Sequence, residues 1–135
     1  HFDWHWFKAQ GIAESGLDPD AKSAAGALGI MQILPSTYRE IASRNPFMAG
    51  IQEPRWNIAA GIFYDRQLYR KWKKKRAIRT GERLKFAFGS YNAGYGTLLR
   101  AHKRAENEVE QVKQWGISRP ICRVRRVATS HASNA

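Results

Sequence analysis

The 135-residue chain is predicted to fold as one compact, mainly α-helical domain. Apolar side chains recur at spacings of three and four through most of the chain, which is the period of an amphipathic helix. No stretch alternates apolar and polar residues for long enough to predict a β-sheet. A chain of this length can bury a hydrophobic core without covalent staples, and its only cysteine, Cys122, excludes an internal disulfide.

The first helix is predicted to be buried on two sides and to stop at Gly16 and Asp18-Pro19. It carries two apolar stripes, one made of Trp4, Phe7, Gly11 and Glu14 and the other of Phe2, Trp6, Ala9 and Ala13. The aromatic residues expected in the core rather than stacked on a sugar are Trp4, Trp6, Phe7, Trp56 and Trp72. Residues 16–29, rich in Gly, Ala and Ser, are predicted to form a loop.

Four further helices are predicted, over residues 35–44, 57–78, 82–91 and 95–107. Pro35 is a favourable first-turn residue, and Asn45-Pro46 starts an irregular stretch that continues to Trp56. The longest helix carries an apolar stripe that includes Asp65, which we expect to pair with an arginine. After Trp115 no element is predicted, and residues 116–135 are interpreted as a basic tail of the single domain 1–135.

The net charge of +12, with an isoelectric point near 10.4, predicts attraction to polyanions. One basic cluster spans residues 71–79 and the other residues 119–126. Nucleic acid, lipopolysaccharide, and peptidoglycan with its teichoic acids are all anionic, so the charge alone does not choose a partner. The run from Lys73 to Arg76 is first of all a solvated helix face.

Several classes of site and segment are not expected from the sequence. No Cys/His cluster has metal-ligand spacing, so neither a metal nor a cofactor is expected. No apolar run approaches the length of a membrane span, and no signal peptide is recognised. The chain begins with His1 rather than Met, which suggests a processed or excised product.

Glu14 is the predicted catalytic residue, because it stands where an apolar helix breaks into a turn. Desolvation raises the pKa of a glutamic acid enough to keep it protonated near neutral pH, as general acid catalysis at a glycosidic bond requires. Most glycosidases need a second carboxylate. The nearest candidates are Asp18 and Asp20, but Asp18 before a proline is typical of a turn. An enzyme with one effective carboxylate must use the substrate as its own nucleophile.

Four ordered segments resemble the soluble lytic transglycosylase (SLT) domain, a lysozyme-like family that degrades peptidoglycan. They are Glu14–Pro19, Gly29–Gln32, Trp56–Gly61 and Ser90–Gly94, and the resemblance covers about residues 3–100. It implies a lysozyme-like α-helical fold with a groove for the glycan strand. It also implies cleavage of the β-1,4 bond between N-acetylmuramic acid and N-acetylglucosamine without water, ending in a 1,6-anhydro-muramoyl product.

The resemblance assigns roles to residues by position. Glu14 matches the catalytic acid, which then becomes the base. The substrate-binding positions that it implies are Ser23, Met31, Gln32, Ser90, Tyr91 and Asn92. Amide side chains can donate to and accept from sugar hydroxyls and acetamides, the Tyr91 hydroxyl could reach Glu14, and Ser90 would contribute through its backbone. Many members also support the acid with a tyrosine near the C-terminus. Residues 120–127 occupy that region here, so this support is either missing or supplied by Tyr91 alone.

Three alternatives stay open. A hydrolytic muramidase would cut the same bond with water. A non-catalytic module would use the groove or the charge to bind glycan or polyanions, without needing Glu14. The Arg-rich stretch 119–126 could instead disrupt membranes. As an endolysin-like or wall-remodelling transglycosylase, the protein is expected to be a monomer, to act on glycan strands in the periplasm or cell envelope after export or phage release, and to have no specific nucleic-acid partner.

Overall fold

The computed structural model describes residues 3–75 and 78–114, with the side chains of its last helix described as far as residue 111. The helices are α1 (Trp4–Ser15), α2 (Pro35–Ser43), α3 (Pro54–Lys73), α4 (Arg83–Ala93) and α5 (Tyr95–Gln114), with a 3₁₀ turn at Thr80–Glu82. Within these described residues no β-strand forms, so the predicted mainly α class is confirmed. The boundary of α2 agrees with the prediction, whereas α3 begins and ends earlier than expected and α5 runs further.

Two compact units divide the chain, residues 1–99 and residues 100–135. The first holds α1 to α4 and every predicted site residue. In the second, helix α5 continues from Arg100, and His102 Nε2 lies 3.4 Å from a carboxylate oxygen of Glu106. The predicted basic tail, the arginines at 119–126 and Cys122 lie outside the described residues.

The core of the first unit is built by α2, α3, the loop before α2 and the segment between the two helices. Its buried side chains are those of Ile30, Met31, Ile33, Tyr38, Ile41, Met48 and Ala60. Helix α3 also packs against α4, where the fully buried indole of Trp72 donates a 2.8 Å hydrogen bond to Ser90 Oγ. Among the tryptophans predicted to be core, Trp72 is therefore confirmed.

Helix α1 corrects the prediction that it is buried on two sides. Trp4 and Trp6 are 61% and 54% exposed, and only Gln10 and Gly11 of this helix are buried. The physical reason is geometric, since one narrow stripe meets the core and no described element covers the opposite side. Trp6 nevertheless contacts α4, because its ring lies 6.2 Å from the Phe88 ring.

The end of α1 is fixed by its own backbone and by a serine. Gly16 takes the left-handed conformation (φ 67°) and donates its N–H to the Ile12 carbonyl at 2.9 Å, which is a common helix stop. Ser15 Oγ donates a 2.9 Å hydrogen bond to the carbonyl of Ile30. This bond ties the last turn of α1, where Glu14 lies, to the loop that precedes α2.

Asn57 holds the same loop from the side of α3. Its Oδ1 accepts from Met31 N–H at 2.8 Å, and its Nδ2 donates to the carbonyls of Leu28 and Ile51 at 2.8 and 3.2 Å. Gly29 lies against this amide with φ 71°, and a Cβ there would come within 2.6 Å of Asn57 Nδ2. Glycine is required at this position by packing as well as by backbone conformation.

Candidate active site

Glu14 lies in the last turn of α1, and its side chain is partly buried. Desolvation raises the pKa of its carboxyl above the ordinary value of a glutamic acid. The predicted environment of Glu14 is thus present, although its carboxyl is less enclosed than a fully buried group. A carboxyl that keeps its proton toward higher pH while part of it stays accessible is suited to general acid chemistry.

A second carboxyl, Asp65 of α3, lies near Glu14 and is 1% exposed. Burial raises its pKa to about 7, while the neighbouring Gln10 amide lowers it and the charge of Glu14 raises it. Within the described residues, Asp65 forms no ion pair and neither of its oxygens accepts a hydrogen bond of normal geometry. Among the described residues, the predicted arginine partner of Asp65 is not found, because the carboxyl is buried whereas the neighbouring arginines Arg66 and Arg70 are exposed.

Tyr91, near the end of α4, reaches the same region. Its hydroxyl donates a 2.6 Å hydrogen bond to the carbonyl of Met31, and its ring lies 5.2 Å from the ring of Tyr64. Burial raises the pKa of the phenol far above its ordinary value, and the charges of Asp65 and Glu14 add to this rise. The structure therefore brings Glu14, Asp65 and Tyr91 within electrostatic reach of one another. The described hydrogen bond of the Tyr91 hydroxyl goes to the carbonyl of Met31.

The two neighbours of Tyr91 differ in accessibility. Asn92 is exposed, and its Nδ2 donates to the Phe88 carbonyl at 3.2 Å. Ser90 is fully buried, where its Oγ accepts from Trp72 and donates to the Phe86 carbonyl at 2.7 Å. A contact between Ser90 and a ligand could involve only its backbone, as the sequence analysis expected.

The loop residues predicted to bind substrate have varied surroundings. Ser23 Oγ accepts from the N–H of Ala27 at 3.0 Å, which closes a turn inside the loop. Gln32 has φ 45°, and its Nε2 donates to the carbonyls of Ala21 and Gly29. Met31 is 1% exposed and belongs to the core. Of these three side chains, Ser23 and Gln32 keep partial access to solvent.

An apolar cleft of about 260 Å³ opens beside α1. Its lining consists of Trp4, Phe7, Lys8, Leu17, Ile30, Met31, Ile58 and Ile62. Met31 lines this cleft and is also one of the predicted substrate-binding residues. Its carbonyl accepts the hydrogen bond from the Tyr91 hydroxyl. Trp4, which the sequence analysis had placed in the core, instead lines this cleft and is 61% exposed.

Sequence reasoning missed Gln10 and Asp65 as part of the site. A signal for both was present: Gln10 precedes Glu14 by four residues on the same helix face, and Asp65 interrupts the apolar stripe of α3. Asp18 is confirmed as a turn residue, since its Oδ1 accepts from the N–H of Asp20 at 2.9 Å and both residues are exposed.

The chain is similar to known proteins over most of its length. The family model of the transglycosylase SLT domain matches residues 2–113. Membrane-bound lytic murein transglycosylase F from Desulfosudis oleivorans is 34% identical over 114 residues, which is 84% of this chain and 24% of that protein. The protein of the same name from Maricaulis maris is 31% identical over 114 residues, again 84% of this chain and 24% of its own length.

A solved structure is also similar. The 70 kDa soluble lytic transglycosylase of Escherichia coli matches with a TM-score of 0.60 and 26% identity, covering 74% of this chain and 16% of that one. The chain thus spans about a quarter or less of the proteins it matches. Among the described residues, no helix combines the length and the apolar character needed to cross a membrane.

Proposed function

We propose that this chain, which belongs to the transglycosylase SLT domain family, is a peptidoglycan lytic transglycosylase that cleaves the β-1,4 bond between N-acetylmuramic acid and N-acetylglucosamine. The observation that carries the proposal is the partly buried Glu14, whose pKa is raised by desolvation and which lies within electrostatic reach of Tyr91. The names of the relatives support the same reaction class.

In the first step, the protonated Glu14 donates its proton to the glycosidic oxygen. The bond between that oxygen and C1 of the muramoyl unit breaks, and the N-acetylglucosamine side leaves as an alcohol. The acetamido oxygen of the muramoyl unit supports the electron-poor C1. This role is favoured when the glutamic acid keeps its proton toward higher pH, and desolvation raises the pKa of Glu14 in that direction.

In the second step, the Glu14 carboxylate removes the proton from the C6 hydroxyl of the same muramoyl unit. The C6 oxygen then forms a bond to C1, which yields the 1,6-anhydro ring and returns the proton to Glu14. No water is consumed. Asp65 is too buried to act as a second nucleophile on a sugar, which favours attack by the substrate's own hydroxyl.

The substrate contacts are proposed for Ser23, Met31, Gln32, Ser90, Tyr91 and Asn92. Asn92 is the most accessible amide beside Tyr91, and Gln32 lies on the loop held by Asn57. We assign side-chain contacts to Asn92 and Gln32. Ser90 and Met31 act through backbone and shape, because their side chains are buried.

The test compares Glu14→Gln with a matched control, Glu108→Gln, which changes an exposed glutamate of α5 in the same way. We expect the first variant to lose at least about a thousand-fold in sacculus digestion and the second to keep wild-type activity. Mass spectrometry of the wild-type digest should find muramoyl ends lighter by one water than reducing ends. Reducing ends would instead identify a muramidase, and a fully active Glu14→Gln would contradict catalysis by this residue.

The site of action is proposed to be the periplasm or cell envelope, where the glycan strands lie. The exposed cations at the end of α3, Arg70, Lys71 and Lys73, add to the net charge of +12 and would hold the protein on anionic envelope polymers. Sedimentation with sacculi should then decrease steeply as salt rises. Binding that salt does not weaken would exclude this electrostatic contribution.

A further inference from the structure

We infer that Ser15 is a positioning residue, whose hydroxyl fixes the Glu14 end of α1 against the loop that carries Met31 and Gln32. The inference rests on the proposed function of Glu14 and adds a residue that acts through it. Ser15 does not need to touch the substrate for this role, and it is not among the proposed substrate contacts.

The hydroxyl of Ser15 joins three parts of the chain. It donates a 2.9 Å hydrogen bond to the carbonyl of Ile30, and it accepts a 3.1 Å hydrogen bond from the N–H of Asp18. The carbonyl of Gly11, 3.4 Å away within α1, is the more distant of its two acceptors. Because a hydroxyl both donates and accepts, this one group links the last turn of α1, the turn that follows it and the loop before α2.

The two segments that this hydrogen bond joins also contain strained backbone. Among the described residues other than glycine, positive φ angles occur at Leu17 (67°) and Gln32 (45°). Leu17 follows Glu14 by three residues, and Gln32 follows Ile30 by two. A residue with a side chain adopts this conformation at a cost in energy, and it persists where surrounding contacts enforce it. The position of both residues beside the bond from Ser15 to Ile30 indicates that this bond holds a geometry which backbone preference opposes.

Close packing at Gly11 brings the same segments together. A Cβ at this buried glycine would lie 3.0 Å from Leu17 Cδ2 and 3.1 Å from Ile30 Cγ2. Both side chains therefore rest on the backbone of α1, three residues before Glu14. Apolar contact of this kind is not directional, whereas a hydrogen bond has a preferred distance and angle. Packing thus sets how near the loop approaches α1, and the Ser15 hydroxyl fixes where along the helix it is held.

The consequence for catalysis follows from the neighbours of the two bonded residues. Glu14 immediately precedes Ser15, while Met31 and Gln32 immediately follow Ile30. The hydrogen bond therefore sets the distance between the proposed acid and two of the proposed substrate contacts. A general acid must lie within hydrogen-bond distance of the oxygen that it protonates, and a displacement of about 1 Å costs on the order of a hundred-fold in rate. Loss of the Ser15 hydroxyl should consequently lower kcat more than it changes KM.

The test compares kcat and KM on solubilised glycan strands for the wild type, Ser15→Ala, Ser15→Thr and Ser43→Ala. Ser43 is the matched control, because it is the exposed last residue of α2 and its hydroxyl donates to the Glu40 carbonyl of its own helix at 2.8 Å. We expect Ser15→Ala to lower kcat about 10- to 100-fold and to change KM by less than about three-fold. Ser15→Thr keeps the hydroxyl and should recover most of kcat, and Ser43→Ala should match the wild type.

A structural role alone would lower the urea midpoint of Ser15→Ala and leave its kcat unchanged at temperatures where the variant is folded, and that result would overturn the inference. Equal losses of kcat in Ser15→Ala and Ser15→Thr would also contradict it. If Ser15→Ala does not fold, Ser15→Cys replaces it, because a thiol is a weak donor on the same stem. A folded Ser15→Cys with the kcat of the wild type would then exclude the positioning role.

A double variant tests whether Ser15 acts through Glu14. In that case, adding Ser15→Ala to Glu14→Gln should cause no further loss of the residual rate. Losses that multiply would show that Ser15 acts on another group and would refute the inference. A fully active Glu14→Gln removes the proposed function itself, whereas an inactive Glu14→Gln together with a wild-type kcat for Ser15→Ala removes only the role of Ser15.

Discussion

Two buried polar side chains of α3, Asn57 and Asp65, each meet the N-terminal part of the chain, and their surroundings are opposite in character. Around Asn57, one amide forms three hydrogen bonds with the backbone of Met31, Leu28 and Ile51. Around Asp65, the Gln10 amide and the carboxylate have four buried polar atoms without a hydrogen bond of normal geometry to any described residue. Both clusters are buried, but only the first has hydrogen bonds of normal geometry to described residues, while in the second the Gln10 amide lies close enough to Asp65 to lower its pKa.

This difference separates an amide whose hydrogen bonds hold a loop from a carboxyl whose burial shifts its protonation. A satisfied buried amide fixes the loop that bears Gly29–Gln32, and leaving its partners unpaired would be costly. Burial of a carboxyl raises its pKa and lowers stability at pH values where the group would otherwise be ionised. Mutations at Asn57 and at Asp65 should therefore change different quantities.

The largest expected effect on stability is that of Asn57→Ala. The substitution leaves one buried N–H and two carbonyls without their partner, so the free energy of unfolding should fall by roughly 3 kcal/mol or more. Urea denaturation followed by circular dichroism measures this change. A loss below about 1 kcal/mol would mean that the loop is held by other contacts, and the contrast between the clusters would lose its basis.

The second expected effect concerns Asp65. Its replacement should raise the free energy of unfolding instead of lowering it, by an amount that depends on pH. The pKa of Asp65 is about 7 in the folded protein and 3.8 in its ordinary state, so its contribution to stability is complete below about pH 4 and is lost as pH rises to 7. Each unit of pKa difference is worth about 1.4 kcal/mol, which bounds the loss at roughly 4 kcal/mol.

We therefore expect Asp65→Asn to be more stable than the wild type at pH 7 and nearly equal to it at pH 4. The new asparagine amide can form hydrogen bonds with the Gln10 side chain, because neither polar atom of Gln10 has a hydrogen bond of normal geometry to another described residue. Thermal denaturation at the two pH values measures the difference. Equal destabilisation at both would show that the carboxyl has an ordinary pKa and a packing role only.

The smallest expected effect on stability is that of Asn92→Ala, although its effect on activity should be large. Asn92 is exposed, and its 3.2 Å hydrogen bond to the Phe88 carbonyl lies on the surface, so the free energy of unfolding should change by less than about 0.5 kcal/mol. If Asn92 holds the sugar, digestion of sacculi should fall at least about ten-fold. An unchanged rate would remove Asn92 from the proposed substrate contacts.

The sequence predicted the helices well because their apolar periodicity is strong. The start of α2 at Pro35 and the stop of α1 at Gly16 follow from local chemistry that needs no tertiary contact. Glu14 and the pair Tyr91 and Asn92 were also identified, because their motifs are specific as an ordered set. Their roles remain proposals that the experiments above address.

What sequence reasoning could not supply depends on which helix faces meet. The two-sided apolar pattern of α1 gave no means of choosing its inner face, so Trp4 and Trp6 were placed in the core although they are exposed. An aspartate on an apolar stripe pairs with arginine or stays unpaired depending on the neighbouring helix. For Asp65 that neighbour is α1, which presents Gln10 and Glu14 instead of a cation.

Digestion of sacculi in water enriched in oxygen-18 tests the central claim most directly. If Glu14 delivers a proton and the muramoyl C6 hydroxyl closes the ring, the wild-type products should carry 1,6-anhydro ends and no heavy oxygen. One heavy oxygen at the new muramoyl end would show that water attacks C1, and it would contradict transglycosylation by this site.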